Sequence, residues 1–186
     1  MEDREIEVKF LEIDKEAMRA RLRALGAADR GEELISEIIF YDPDRRWITE
    51  NKFVRIRQAA RGARLTYKES DEESVDGTIE IELSIESLNK GKKFLQAVGL
   101  VASREQEKRR HSFVLDQVMI DIDTWPQVPT YIELEGESEA ALKAVAEKLG
   151  LDWSKKVVGT AGKVIEEHYG IPVRSYQYFT FTRSGP

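Results

Sequence analysis

The chain has 186 residues, of which 34% are charged, with a formal net charge of −6 and no cysteine. That length suits one domain, the lack of thiols excludes disulfides, thiolate metal sites and a cysteine nucleophile, and the acidic balance makes a poor generic nucleic-acid binder. The charged opening MEDREIEVK lacks the apolar stretch of a signal peptide and no apolar run approaches the roughly 18 residues of a membrane span, so a soluble, cytoplasmic protein is expected.

In chain order, EIEVKF (residues 5–10) alternates strictly, with Glu5, Glu7 and Lys9 on one face and Ile6, Val8 and Phe10 on the other. From Asp14, an acidic cap, the spacing of Met18, Leu22 and Leu25 predicts a helix ending at Gly26. Strands follow at SEIIFYD (36–42), KFVRIRQ (52–58), ARLTYKES (63–70) and GTIEIELS (77–84), separated by turn residues around Asp42-Pro43, Gly62 and Asp76-Gly77. A helix is predicted within residues 85–100, near Gly99 at its end. Three further strands are KRRHSFVLD (108–116), VMIDIDTW (118–125) and TYIELEG (130–136). Ser138 opens a helix carrying Leu142, Val145 and Leu149 on one stripe up to Gly150, and a last helix is predicted in residues 160–171, before Pro172. Successive strands joined by short turns imply one α+β domain on a large antiparallel sheet. We expect that domain over residues 1–174, with an aromatic tail, 175–186, that packs or trails, a cover over one end of the sheet being the alternative for its SYQYFTFT stretch.

The strand faces carry an unusual charge pattern. Like charges stand two apart at Glu5/Glu7, Arg55/Arg57, Glu80/Glu82, Lys108/Arg110, Asp121/Asp123 and Glu133/Glu135, with Lys9 and Lys68 on the same faces. Neighbours of one sign repel on an open face, so solvation alone does not favour such doublets. A sheet closed on itself, apolar faces outward under the helices, would instead line an interior with them. Charges there cost several kcal/mol each unless they are paired, hydrated or neutralised by a ligand. The Lys and Arg donors suit polyphosphate oxygens. The carboxylates, with no Cys and only two His, suit a hard cation such as Mg²⁺ or Mn²⁺. Phosphoryl transfer needs little beyond positioning and charge neutralisation.

With these motifs in order, the chain resembles the CYTH superfamily, also called triphosphate tunnel metalloenzymes. EIEVK reads as the ExExK signature, Arg55-x-Arg57 as the RxR strand and Lys68 as the TxK lysine; Glu80-x-Glu82, Lys108-x-Arg110 and Asp123 ahead of Glu133-x-Glu135 follow. The resemblance implies a closed eight-stranded antiparallel β-barrel, a triphosphate tunnel, with helices outside. It implies that Glu5, Glu7, Asp123, Glu133 and Glu135 hold Mg²⁺ or Mn²⁺ and act in catalysis with Lys9. Lys9, Arg55, Arg57, Lys68, Lys108 and Arg110 would grip the triphosphate, and Glu80 and Glu82 would hold a second metal or organise the cations. Asp121 has no firm counterpart. Two departures stand out: YKES lacks the Gly-Pro pair many members carry after the lysine, and DTWPQVPTY replaces a Gly-containing turn.

The expected activity is a metal-dependent triphosphatase acting on inorganic, nucleoside or thiamine triphosphate, without nucleic-acid or membrane partners and with a homodimer left open. A class IV adenylyl cyclase, making cyclic AMP and pyrophosphate from ATP, is the alternative. A non-catalytic polyphosphate sensor would not need the carboxylates that this chain carries. His111 points away from the Lys108/Arg110 face and is read as structural, and His168 as a helix-end residue. Lys163 and the group Lys90, Lys92 and Lys93 are read as solvated, and no Gly-rich P-loop is present.

Overall fold

A computed structural model describes residues 4–60, 62–70 and 78–186, the side chains of residues 4, 5 and 78 excepted. Eight strands form one strongly curled antiparallel sheet: β1 (Arg4–Phe10), β2 (Ala28–Tyr41), β3 (Lys52–Ala59), β4 (Gly62–Ser70), β5 (Thr78–Ile85), β6 (Val101–Leu115), β7 (Val118–Thr124) and β8 (Tyr131–Gly136). They pair in the order β6-β2-β3-β4-β5-β1-β8-β7, and a ladder from Arg109↔Thr124 to Leu115↔Val118 brings β7 back onto β6. Among the described residues β1 and β5 pair at Arg4↔Ile79 and Glu5↔Thr78.

The helices sit on the apolar outer face. Helix α1 (Lys15–Ala24) starts where the Asp14 carboxylate accepts the Ala17 N–H at 3.0 Å. A one-turn helix, α2 (Arg46–Thr49), follows β2, and Asp42 caps it by accepting from the Trp47 N–H at 2.9 Å. Helix α3 (Leu88–Ala97) is capped by Ser87, and its Gly91 lets it lie close on the sheet, since a Cβ there would come within 2.6 Å of Ile85. Helix α4 (Glu139–Leu149) runs from its Ser138 cap to Gly150 in the left-handed conformation (φ 73°), where glycine alone is unstrained. Outward residues of β1, β7 and β8 (Val8, Phe10, Ile120, Ile122, Ile132, Leu134) form one core with Met18 and Leu22 of α1 and Leu142, Val145 and Leu149 of α4. A second core joins Phe40, Val54 and Ile56 to Leu95 of α3. Among the described residues no helix is long and apolar enough to cross a membrane.

A third cluster caps one end of the curl. Trp125 and Tyr131 occupy the inward positions just beyond Asp123 and Glu133, and they pack with Ile165 of α5 (Ala161–Tyr169), Val173 and Phe179. Two-residue strands, β9 (Tyr178–Phe179) and β10 (Ser184–Gly185), extend the sheet. β9 pairs in parallel with Glu105 and Gln106, on the stretch of β6 that lies beyond its pairing with β7.

The strand and helix order matches the sequence reading, with β2 and β6 longer at their N-terminal ends and α2 additional. The inward/outward alternation has a direct energetic test. Leu134 is fully buried between sheet and α4, so Leu134→Ala is expected to lower unfolding free energy by about 2–5 kcal/mol. Leu83→Ala, at a side chain 57% exposed, should move it by about 0.5 kcal/mol or less; urea unfolding followed by circular dichroism checks both.

Candidate active site

Among the described side chains, the period-two charges other than Asp123 turn inward onto one cavity of ≈ 430 Å³. Its wall includes Glu7, Lys9, Arg55, Arg57, Lys68, Glu80, Glu82, Lys108, Arg110, Asp121, Glu133 and Glu135, while Thr160, Ala161 and Gly162 at the start of α5 line the capped end. Asp123 lies fully buried behind this wall. Glu5 sits on β1 opposite Thr78, and its side chain falls outside the described residues.

Strand register brings the acidic and basic doublets together. Glu7 stands opposite Glu135 and Lys9 opposite Glu133 across the β1–β8 ladder. The Lys9 ammonium, 1% exposed, lies 3.1 Å from Glu7 and 3.4 Å from Glu133, bridging two strands. Burial pulls that ammonium down, but Glu133 and Glu7 outweigh it and leave its pKa raised. Burial likewise favours the neutral acid at Glu133, yet Lys9, Arg110 and Lys108 hold it well below the usual carboxylate range. Both groups are therefore charged at neutral pH, which is the condition for an ionic site in a low-dielectric interior.

Two sides of the cavity differ in how tightly the cations are held. On β6, Arg110 grips Asp123 in a bidentate fork, 2.7 Å at each contact, and also reaches Asp121 at 2.5 Å and Glu133 at 3.4 Å. Lys108 donates to Asp123 at 2.9 Å and lies 5.2 Å from the centre of the Trp125 ring. On β3 and β4 the contacts are longer. Arg55 lies 3.6 Å from Glu37 and 3.5 Å from Glu80, and Lys68 lies 3.4 Å from Glu7 and 3.3 Å from Glu80. Charge-assisted hydrogen bonds normally span about 2.7–2.9 Å, so these pairs are attractive without being locked. Arg57 falls between the two cases, donating to Glu82 at 2.9 Å, an oxygen that Thr66 also meets at 3.2 Å.

Several cavity residues were not singled out by the sequence reading: Glu37, Arg64, Arg104, Gln106, Trp125 and Arg174. Extending the alternation of β6 backward would have found two of them, because Arg104, Gln106, Lys108, Arg110 and Ser112 fall on one face. Glu37 is the single inward charge between Ile35 and Ile39, so it forms no doublet and shows no pattern. Trp125 and Arg174 reach the cavity through tertiary packing of the cap. Conversely, His111 is structural: it is buried on the outer face, meets Asp29 at 2.6 Å and stacks on Phe113.

The donor chemistry bears on a metal. Among the described residues, no three acidic or histidine side chains converge on a metal-sized point. Glu7 and Glu133 nonetheless already share one cation, the Lys9 ammonium, and Glu135 stands beside Glu7 across the ladder. Their ligand atoms are all hard carboxylate oxygens, which fits Mg²⁺ or Mn²⁺ and no softer ion.

The fold is a curled antiparallel sheet with a charge-lined interior, and comparison with known proteins gives the family. The CYTH domain matches residues 3–161, and the chain belongs to that family. No curated protein matches it by sequence. Among solved structures, a candidate adenylate cyclase from Vibrio parahaemolyticus aligns with a TM-score of 0.75 at 14% identity, covering 89% of this chain and 99% of that one. A Pyrococcus horikoshii protein aligns at 0.70 with 22% identity, covering 82% and 93%. A Hippeastrum protein, named as a candidate adenylyl cyclase with a dominant triphosphatase activity, aligns at 0.61 with 14% identity, covering 89% and 96%. At such identities the likeness concerns the fold.

The buried pairs make stability depend on pH. Burial pushes the Glu37 carboxyl up, but the Arg55, Lys108 and Arg57 charges outweigh this and bring it from 4.5 down to about 2. A depressed folded-state pKa contributes stability that is fully present above the unfolded value and is lost as pH falls through the folded one. Asp123 is lowered in the same sense, whereas Asp121, raised chiefly by burial, works the other way. The urea midpoint is therefore expected to fall between pH 5 and pH 3. Asp123→Asn, which leaves two buried cations short of their counter-charge, should lower stability by about 3–5 kcal/mol at pH 7 by the same measurement.

Proposed function

We propose that the chain is a divalent-metal-dependent triphosphatase that hydrolyses the terminal phosphoanhydride of a triphosphate held in the cavity. The observation that carries this reading is the convergence of Lys9, Lys68, Arg55 and Arg57 with Glu7, Glu80, Glu82, Glu133 and Glu135 on one enclosed space. Such cations can turn from a carboxylate to a phosphate oxygen at small cost, since one ionic contact replaces another. Arg110, saturated by three carboxylates, is better suited to holding Asp123 and Glu133 in place than to gripping phosphate.

In this reading Glu7, Glu133 and Glu135, with Glu5 from the same strand, hold the metal. A bound Mg²⁺ or Mn²⁺ supplies Lewis-acid polarisation of the phosphate and lowers the pKa of water. The protein's own groups do the rest. Lys9 and Lys68, with Arg55 and Arg57, neutralise charge on the phosphate oxygens and align the chain of phosphorus atoms. Glu80 and Glu82 organise those cations, being already in contact with Arg55, Lys68 and Arg57. Trp125, Tyr131 and α5 exclude bulk water from the capped end, which strengthens each of these contacts. The dominant triphosphatase activity named for the Hippeastrum protein supports ranking hydrolysis ahead of cyclisation on this fold.

The decisive measurement is phosphorus NMR of the purified protein with inorganic triphosphate and with ATP, in Mg²⁺ and in Mn²⁺. The expected products are orthophosphate with pyrophosphate or ADP. Cyclic AMP with pyrophosphate would make the protein a cyclase and overturn the proposal. Lys9→Ala and Arg57→Ala should each cut kcat/KM at least about tenfold, the equivalent of ~1.4 kcal/mol of transition-state stabilisation; unchanged turnover in both would remove these residues from the site.

A further inference from the structure

The proposed reading gives no part to Glu37, a buried charge on the cavity wall. Glu37 faces inward from β2 and is 3% exposed. Its Oε2 accepts from Gln106 Nε2 at 2.6 Å, while Gln106 Oε1 accepts from Arg104 Nε at 2.7 Å. The amide of Gln106 is thus fixed from both sides and sets the orientation of the carboxylate. The other oxygen, Oε1, is buried and has no hydrogen-bond donor among the described residues. Arg55 Nη1 lies 3.6 Å away, an ionic neighbour beyond hydrogen-bond range. Buried acceptors left open in this way are rare in folded proteins and call for a physical reason.

The surroundings of that oxygen are selective. On the same face of β2, Ile35 and Ile39 flank Glu37, exposed by 2% and 3%. In the ring of eight strands β2 lies four places from β1, which carries Glu7 and Lys9, so the two strands face each other across the interior. Across the sheet its neighbours are Arg57 and Gln106, with Arg55 near Oε1, so the two arginine cations already balance the carboxylate, and a phosphate oxygen placed directly at Oε1 would meet its negative charge. A hydroxyl donor on a ring with carbon faces meets both features: the O–H finds an acceptor and the carbons find isoleucine. Sugars have this chemistry, and carboxylates bind ribose hydroxyls in other nucleotide sites.

We infer that the β2 wall receives the ribose of a nucleoside triphosphate, with Glu37 Oε1 accepting a hydrogen bond from a sugar hydroxyl and Ile35 and Ile39 against the ring. The inference rests on the triphosphate reading above and narrows it, because inorganic triphosphate offers no such donor. Glu37 is then a specificity residue, and its contribution is separable from that of the cations that hold phosphate.

Calorimetric titration without added metal tests this independently of turnover. The probes are ATP, 2′,3′-dideoxy-ATP and inorganic triphosphate, each against the wild type and Glu37→Gln. The glutamine can keep the Gln106 contact through its carbonyl oxygen while placing an NH₂ donor where Oε1 stood. Wild type is expected to bind ATP about tenfold or more tightly than the dideoxy analogue, as a site built around a hydroxyl should. Glu37→Gln should erase that difference and leave inorganic triphosphate binding unchanged or stronger, since a negative charge has gone. Equal wild-type affinity for ATP and its dideoxy analogue overturns the inference. So does a parallel loss for all three probes in the variant, which would mean that Glu37 only positions Arg55. Failure of the wild type to bind any probe would instead bring down the triphosphate reading, together with the inference resting on it.

Discussion

Everything in this molecule depends on keeping buried charges in balance. Among the described residues, nine basic side chains (Lys9, Arg55, Arg57, Arg64, Lys68, Arg104, Lys108, Arg110 and Arg174) line the cavity. They face eight acidic ones, Glu7, Glu33, Glu37, Glu80, Glu82, Asp121, Glu133 and Glu135, and Asp123 behind the wall makes the count even. The chain as a whole carries −6, so its excess acidity lies elsewhere. An unpaired ion in such a place costs several kcal/mol, comparable with the whole stability of a domain, so the pairs are a condition of folding before they are a condition of function. The condition also explains the layer order. Charges confined to one face of every strand leave the opposite face free for Val8, Ile120, Ile132 and Leu134, and α1 and α4 cover that face.

Balance does not mean that every pair is equivalent. The fork between Arg110 and Asp123 is short, bidentate and buried, and it is tied in on both sides, Arg110 to Asp121 and Glu133 and Asp123 to Lys108. The contacts of Arg55 with Glu37 and Glu80, and of Lys68 with Glu7 and Glu80, are longer. A polyanion entering the cavity therefore meets an uneven surface. The β6–β7 side resists rearrangement and serves as a frame, while the β3–β4 side can exchange partners. The same division answers why the interior is not simply positive. A cavity lined by cations alone would bind phosphate more strongly in the ground state, but it would not fold around its own repulsion.

Much of this could be read from the sequence because the β period is two and the doublets repeat it. Glu7/Lys9, Arg55/Arg57 and Glu133/Glu135 announce both the strands and the inward face, and the caps at Asp14 and Ser138 mark α1 and α4. The N-terminal halves of β2 and β6 were less readable. ADRGEEL has glycine and a run of charges in place of alternation, and VASREQE begins with small and polar residues; their pairing, Ala28↔Val114 through Tyr41↔Val101, is fixed by tertiary partners. Helix α2 was hidden because the Asp42-Pro43 turn signal is also a capping signal, with Asp42 serving the Trp47 N–H. The cap over the cavity was legible only in part, since the aromatic SYQYFTFT segment offers a cover for one end without naming what it packs on. Nothing local in DTWPQVPTY or SYQYFTFT says that Trp125 and Phe179 will stack, 6.1 Å between ring centres.

The cap and the charged interior are joined by hydrogen bonds as well as by apolar packing. Arg104, 4% exposed, donates to the Val173 carbonyl of the cap at 3.1 Å and to Gln106 at 2.7 Å; Gln106 donates to Glu37, which neighbours Arg55. Arg174 holds Glu166 of α5, and Arg45, beside α2, donates to the Arg174 carbonyl at 3.1 Å. Burial lowers the Arg104 guanidinium pKa. Displacing residues 173–179 would expose Trp125 and Tyr131 and also take an acceptor from Arg104, loosening the amide that orients Glu37. The end wall and the β2 wall are thus held by one chain of contacts, so a change at the C-terminal segment reaches Glu37 and Arg55 without touching either side chain.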